Sequence, residues 1–419
     1  MRFRPKFTLR SLMIATAISG VFFGWLTNTL VRVNHQRQIV AQLQARGARV
    51  MFDLSVDPTE AELTGPPPGW KVFRSIFGED AFSSVTYVYE GARKIENGDI
   101  ELLKQLPALC TLGFEGSETD DSTISQLHKL PGLRRLQFWD TSATADGIAG
   151  LSQCRKLMSL SLSGQRIDDS VLAGVAKLPN LERLYLGTPS VTSVGMQHLE
   201  GLSRLTTLSL WDIGDIDDQG IASIGKLTDL NSLQLTNMPV TDAGFGSIGK
   251  LTHLSSLQFE NVPVSDRGFA ELGQLNNLRT LWLWNRPTNS GTGVSDIGIQ
   301  TIRSLKQLTT LYIRGMQFGD AGMDAIGELT QLRELDLQGP QFTDASAQFI
   351  AQLAELRELE LSTTSISDVG LKKLAPLVHL NTLTVGLNVT EEAARELRQS
   401  LPNCTIVSSG KEGTKFILK

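Results

Sequence analysis

Four apolar positions, spaced three, three and two residues apart, recur along most of this chain. They stand at Leu178, Leu181, Leu184 and Leu186, at Leu251, Leu254, Leu257 and Phe259, and at Leu329, Leu332, Leu335 and Leu337. The last pair alternates with polar residues, as a short strand with one buried face does. Written by their first apolar position, the repeats begin at Leu106, Leu130, Cys154, Leu178, Leu202, Leu227, Leu251, Leu275, Leu305, Leu329, Leu353 and Leu377, a step of 24 residues almost throughout. Such self-similarity predicts a stacked array in which each repeat buries its apolar face against its neighbours. A chain of 419 residues then need not divide into several globular domains. Weaker registers at Phe82, Val85 and Val88 and at Leu401, Cys404 and Val407 are expected to be terminal strands, each with a neighbour on one side only.

Each strand is followed by a second pattern, clearest in Val240-Thr241-Asp242-Ala243-Gly244-Phe245, with Ile248 and Leu251 following at helical spacing. It predicts a short helix returning on the opposite side of the array. Asp266, Asp296, Asp320, Asp344 and Asp368 occupy the place of Asp242. An aspartate column invites a metal-binding reading, but Asp just before an apolar helical period is expected to be a helix N-cap. Gly220 to Lys226 and Gly244 to Lys250 both spell G-x-x-x-x-G-K. The next residues are Leu227 and Leu251 of the buried column, where a phosphate-binding loop needs Ser or Thr to hold magnesium, so nucleotide binding is not expected. The five histidines lack zinc-ligand spacing, and no G-x-S-x-G elbow is present. Of the three cysteines, Cys154 and Cys404 replace leucine in the apolar column, a packing role. No metal, cofactor or catalytic residue is expected.

The leucine spacing and the D-x-G return together resemble the leucine-rich-repeat superfamily over about residues 82–409. The return is similar to that of its cysteine-containing, F-box-associated subclass. The resemblance implies an α/β solenoid, a horseshoe with parallel strands on its concave face and helices on its convex face. Gln165, Met238, Val262 and Met316 stand where the subclass carries cysteine, and no F-box precedes the repeats, which argues against a ubiquitin-ligase adaptor. The sequence from Phe7 to Leu12, basic and leading into an apolar segment, resembles the start of membrane-anchored bacterial leucine-rich-repeat proteins.

Charge divides the chain. Residues 1–50 hold eight Lys or Arg and no acid, so with a net charge of -5 the remainder carries -5 - 8 = -13. An acidic body is a poor partner for nucleic acid, which is set aside. Arg2, Arg4, Lys6 and Arg10 form a basic tail (residues 1–10) before an apolar stretch from Leu12 to Leu26 that continues less strongly to Val33. As a helix, Leu12 to Val33 spans roughly 33 Å, enough for a single membrane pass. Residues 11–33 are therefore expected to be a transmembrane anchor. A cleaved signal peptide is the alternative, though its small-residue pattern, Ala15-Thr16-Ala17, falls inside the apolar stretch. The denser charge on the short tail favours repeats outside the cytoplasm over an array tethered to the inner leaflet. Residues 34–81 are expected to join anchor to array, with a polar helix over 34–47, a break at Pro66-Pro67-Pro68-Gly69 and a cap from Trp70 to Phe77, and residues 410–419 to be a polar tail.

Strand alternation puts Trp139, Tyr185, Trp211, Trp282, Trp284 and Tyr312 on the concave face. Exposed aromatics of this kind dominate binding hot spots, although a ladder that buttresses the strands would look the same. The repeat holding Trp282 and Trp284 is lengthened by six residues, and its extra residues fall within Asn285 to Val294, a surface loop by composition. Tyr312 and Arg314 occupy the same columns one strand on, with Glu334, Asp336, Glu358 and Glu360 beyond them. The expected partner is a protein or peptide. A carbohydrate or cell-envelope ligand is the second reading, and a glycan-acting enzyme using the paired carboxylates the third.

Overall fold

A computed structural model describes residues 9–52, 84–91, 97–116, 119–213, 216–285, 293–410 and 413–418, with the side chains of 9–18, 22, 410 and 413–415 excepted. The chain forms two compact units, Met1–Ser142 with Gln153–Leu157, and Ala143–Ser152 with Met158–Lys419.

Unit 1 opens with helix α1 (Leu9–Ala45), which runs 37 residues without a break through both the expected anchor and the expected polar helix. Its second half buries Thr29, Val33, Val40 and Leu43, spaced four, seven and three residues apart along one face. Gln36 lies on the same face and accepts from the Val85 backbone N–H at 3.4 Å. Beyond the helix, the Arg46 guanidinium meets the wholly buried Asp99 carboxylate at 2.6 Å. Val21, Phe23, Trp25 and Val31 are exposed. Among the described residues no helix is long and apolar enough to cross a membrane; most of the apolar stretch from Leu12 lies where side chains are not described. The Pro66 to Gly69 break, Trp70 to Phe77, Phe82 and the basic tail from Arg2 to Lys6 also lie outside the described residues. Strand β1 (Arg49–Phe52) pairs antiparallel with β2 (Val85–Glu90), followed in parallel by β3 (Thr111–Glu115) and β4 (Arg135–Trp139).

Unit 2 contains β5 (Ser159–Ser163), β6 (Arg183–Gly187), β7 (Thr207–Trp211), β8 (Ser232–Thr236), β9 (Ser256–Glu260), β10 (Thr280–Trp284), β11 (Thr310–Arg314), β12 (Glu334–Gln338), β13 (Glu358–Leu361), β14 (Thr382–Val385) and β15 (Thr405–Gly410), parallel and in register. An antiparallel β16 (Gly413–Leu418) follows β15. Leu160, Leu184, Leu208, Leu233, Leu257, Leu281, Leu311, Leu335, Leu359 and Leu383 make one buried row, each at most 2% exposed. Burial of this kind contributes about 2 kcal/mol per side chain. At the C-terminal end Ile406, not the expected Val407, continues the row, and Val407 pairs with Thr384 on the outward face. The connection after Cys404 is one residue shorter than after Leu380, and with a period of two that slip exchanges the faces.

The aspartate column is also displaced by one residue from expectation. Thr241, Ser265 and Ser367 are the N-caps, their hydroxyls accepting from the backbone N–H two residues on. The following aspartate reaches across to the next repeat instead. Asp242 accepts from the Ser265 hydroxyl at 2.8 Å and from the Gly268 N–H at 3.1 Å. Asp344 accepts from the Ser367 N–H and hydroxyl, both at 2.7 Å, and from the Gly370 N–H at 3.0 Å. Asp218, Asp266, Asp320 and Asp368 make equivalent bonds to Thr241, Ser295, Thr343 and Thr390, and Asp296 bonds the Gly319 N–H. Between one pair of repeats the partners are exchanged: Ser193 stands in the aspartate's place and donates to Asp217, the next N-cap, at 2.5 Å.

These carboxylates tie stability to pH. Burial pushes the Asp320 and Asp344 carboxyls up, but the bonds from Ser346, Thr343, Ser367 and Gly370 together outweigh it and hold both below the ordinary value of 3.8. A depressed folded value contributes stability that is present above 3.8 and lost as pH falls through it. Asp344→Asn should therefore flatten the acid limb of the stability profile, read from denaturant midpoints across pH; an unaltered acid limb would contradict the assignment.

Candidate recognition face

The outward side chains of β10 to β13 are held by the registered strands beneath them. Trp282 pairs with Tyr312 across β10 and β11, with ring centroids 4.3 Å apart and planes at 45°. Trp282 is 40% exposed, which sets it apart from the other aromatics of this face. Trp284 pairs with Arg314, whose guanidinium lies 5.3 Å from the ring centroid, a cation–π contact. Just past β10, the backbone N–H of Asn285 donates to the Arg314 carbonyl at 2.9 Å. Residues 286–292, within the lengthened stretch, lie outside the described residues; the description resumes at Gly293, and the Val294 carbonyl accepts from the N–H groups of Gln317 and Phe318.

The carboxylates stand directly beside the aromatics. Glu334 is in register with Glu358, and Asp336 with Glu360. The Tyr312 hydroxyl donates to Glu334 at 3.1 Å; burial, then the carboxylate neighbours, push its pKa up to about 12. Asp336 takes one hydrogen bond, from Gln338 at 3.2 Å on Oδ2, while its Oδ1 is buried without a hydrogen-bond partner. Burial, reinforced by Glu360 and opposed by Gln338 and Arg314, raises the Asp336 carboxyl from 3.8 to about 6. A raised folded value means stability that is fully present below 3.8 and lost as pH rises through about 6. Asp336→Asn is thus expected to stabilise the protein by about 1 kcal/mol near neutral pH, a figure discounted for partial solvent contact, and to gain little near pH 4. Equal gains at both pH values would show that charge is not the cause.

The remaining aromatics are locally supported. In β7, Trp211 lies back over Gly187 of β6, where an added Cβ would come within 2.1 Å of the indole nitrogen. Tyr185 stands between Ser161 and Ser209. Within unit 1, Trp139 has company: Tyr89 lies 5.6 Å away with planes at 50°, Arg49 lies over Tyr89 at 5.8 Å, and the Tyr87 hydroxyl donates to Gln137 at 2.9 Å. Sequence reasoning missed Tyr87 and Tyr89, although their alternation with Val88 was the available signal. It also missed a ladder at the strand ends, where Asn261 donates to Asn237 at 2.8 Å and Asn237 to Asp212 at 3.0 Å. All three have positive φ, which Asn and Asp tolerate better than most residues. Among the described residues no group of three or more His, Cys, Asp or Glu is placed to hold a metal ion.

The repeat step, the parallel ladder and the inter-repeat bonds agree with the family comparison, in which residues 215–410 match the model described as a leucine-rich repeat region. Those residues are a leucine-rich-repeat region. Solved structures are also similar to the chain. An internalin from Listeria monocytogenes shares 21% identity over 80% of this chain and 93% of its own, with a TM-score of 0.55. A leucine-rich-repeat protein of Leptospira interrogans shares 18% identity over 75% of this chain and 92% of its own, with a TM-score of 0.45. At such identity the first likeness shows a shared fold alone. No curated protein sequence matches the chain.

Proposed function

We propose that this leucine-rich-repeat chain is a recognition or scaffold protein that binds a protein or peptide partner on the outward face of β10 to β13. The observation that carries the reading is Trp282, 40% exposed, braced by Tyr312, and adjoining both a cation-stacked Trp284 and a strip of carboxylates. A large indole held rigid in solvent offers contact area at little entropic cost, as hot-spot residues do. Crosslinking and capture by the full chain tests it. Trp282→Ala and Trp284→Ala should each weaken capture of the partner by about 2 kcal/mol while leaving the fold intact. Trp211→Ala is the comparison, because its ring rests on Gly187 and its loss should register mainly in stability. Equal losses of stability and no loss of capture in all three would mark these aromatics as buttresses of the sheet. Rings beside carboxylates also suit a sugar, so a glycan array that retains the wild type and not Trp282→Ala would favour the carbohydrate reading.

The same proposal includes a single-pass anchor in the first half of α1, with the repeats outside the cytoplasm. Val21 and Phe23, each more than 60% exposed on a helix, and the basic residues that precede Leu12 support it. A reporter fused after Lys419 should then be active only outside the cytoplasm; activity of a reporter that works only in the cytoplasm would reverse the orientation.

A further inference from the structure

We infer that the occupant of the face from β10 to β13 is a cationic, Lys- or Arg-bearing peptide segment, whose side-chain stem lies on Trp282 and Tyr312 and whose head meets Glu334 and Glu358. The inference rests on the recognition reading above and adds the chemistry of the partner. Its ground is charge complementarity along one sheet face. From β5 to β9 the outward positions are mostly Ser, Thr and Gln, with one cation, Arg183, and one carboxylate, Glu260. On β12 and β13 they change to Glu334, Asp336, Glu358 and Glu360, like charges set side by side by the register. Such pairs oppose folding, so their placement is not a device for holding the sheet together.

Cations among the described residues form no ion pair with them, and Arg314 offsets the charge of Asp336 only in part. Among the described residues none of these four carboxylates has an ion-pair partner within 4.0 Å. The cation on the adjoining strand, Arg314, is committed to the face of Trp284. The carboxylates keep bonds that orient them: Tyr312 donates to Glu334, and the Ser362 backbone N–H donates to Glu360 at 2.8 Å. Long cationic side chains match this surface because their methylene stems take apolar cover and their heads seek carboxylate or a ring face. A metal ion fits less well, since no group of His, Cys, Asp or Glu among the described residues is placed to hold one.

Asp336 gives the site a pH dependence that a merely acidic surface would lack. Its carboxyl faces Tyr312 and Arg314 on β11, Glu334 and Gln338 on its own strand, and Glu358 and Glu360 on β13. Half-buried, with its Oδ1 short of a hydrogen bond, it holds its proton up to about pH 6. A bound cation favours the ionised form, so binding should release a proton and weaken as pH falls through that value.

The test is binding of an oligolysine peptide to the full chain in detergent, at low and moderate salt, with an oligoglutamate peptide as the negative probe. The wild type should bind oligolysine saturably and oligoglutamate not at all. Glu334→Gln with Glu358→Gln should weaken oligolysine binding at least about tenfold, and so should Trp282→Ala. Glu271→Gln with Glu392→Gln removes the same charge from exposed helical positions and should change binding less than about twofold. Between about pH 7.5 and pH 5 the wild-type affinity should fall, and Asp336→Asn should reduce that slope. Equal losses in the two double variants would overturn the proposal, because the attraction would then belong to net charge and not to this face. No binding of oligolysine, with capture of a natural partner still dependent on Trp282, would overturn the cationic chemistry and leave the recognition reading standing. Retained oligolysine binding with partner capture indifferent to Trp282 would do the reverse.

Discussion

Alanine at Gly246 should raise the stability of the protein, whereas alanine at Gly244, two residues earlier in the same helix, should lower it by about 2 kcal/mol. Both glycines lie in Asp242–Ile248, and a helical glycine ordinarily costs about 1 kcal/mol relative to alanine. At Gly246 an added Cβ meets nothing within 4 Å, so only that gain remains. At Gly244 it would sit 2.6 Å from the Asp218 carboxylate of the preceding repeat and 2.6 Å from a methyl group of Val240. Gly268 stands in the same relation to Asp242, and Gly298 is tighter still, 2.1 Å from the Asp266 carboxylate. The glycine of the D-x-G motif is therefore selected by the carboxylate one repeat earlier. Denaturant midpoints of the two variants decide it: a gain at both positions would show that the neighbouring carboxylate yields easily and that the motif needs another explanation.

Exchanging Asp242 and Ser265 should restore what either substitution alone removes. Asp242→Ser deprives the Ser265 hydroxyl and the Gly268 N–H of a charged acceptor and should cost about 2 kcal/mol. Ser265→Asp places two carboxylates against each other and should cost a similar amount. The double variant reproduces the arrangement of Ser193 and Asp217, in which the capping aspartate also accepts from the N–H groups of Gln219 and Gly220. It should return to within about 0.5 kcal/mol of the wild type. Additive losses in this double-mutant cycle would mean that the two residues act separately and that no bond joins the repeats here.

Much of this architecture was legible in the residues, because a leucine spacing repeated so often leaves one register that buries every copy. The strands, the buried rows and the outward columns follow from it. The role of the aspartates did not, since an N-cap and the residue after it differ by one position, within the ordinary error of a helix boundary read from pattern. The exchanged pair Ser193 and Asp217 was the signal that the column contacts its neighbour. At the ends the pattern thins, which is why Val407 was given the place of Ile406 and why Tyr87 and Tyr89 escaped notice beside Trp139. The face itself was readable only as a set of columns. Which aromatic stands clear depends on what lies beneath it, and the glycine under Trp211 cannot be weighed until its neighbour's ring is placed. The unfilled Oδ1 of Asp336 is likewise a property of packing, and the sequence shows only an acid in a row of acids.

The unbroken run of α1 has a mechanical meaning. At about 1.5 Å per residue its 37 residues make a rod of about 55 Å. One side of its second half is fastened into unit 1 from Thr29 to Leu43, beginning three residues beyond Leu26. A rod so fastened has no slack. A pull or a twist on unit 1 reaches the apolar half directly, and a protease would find no loose tether between the two at which to release one from the other.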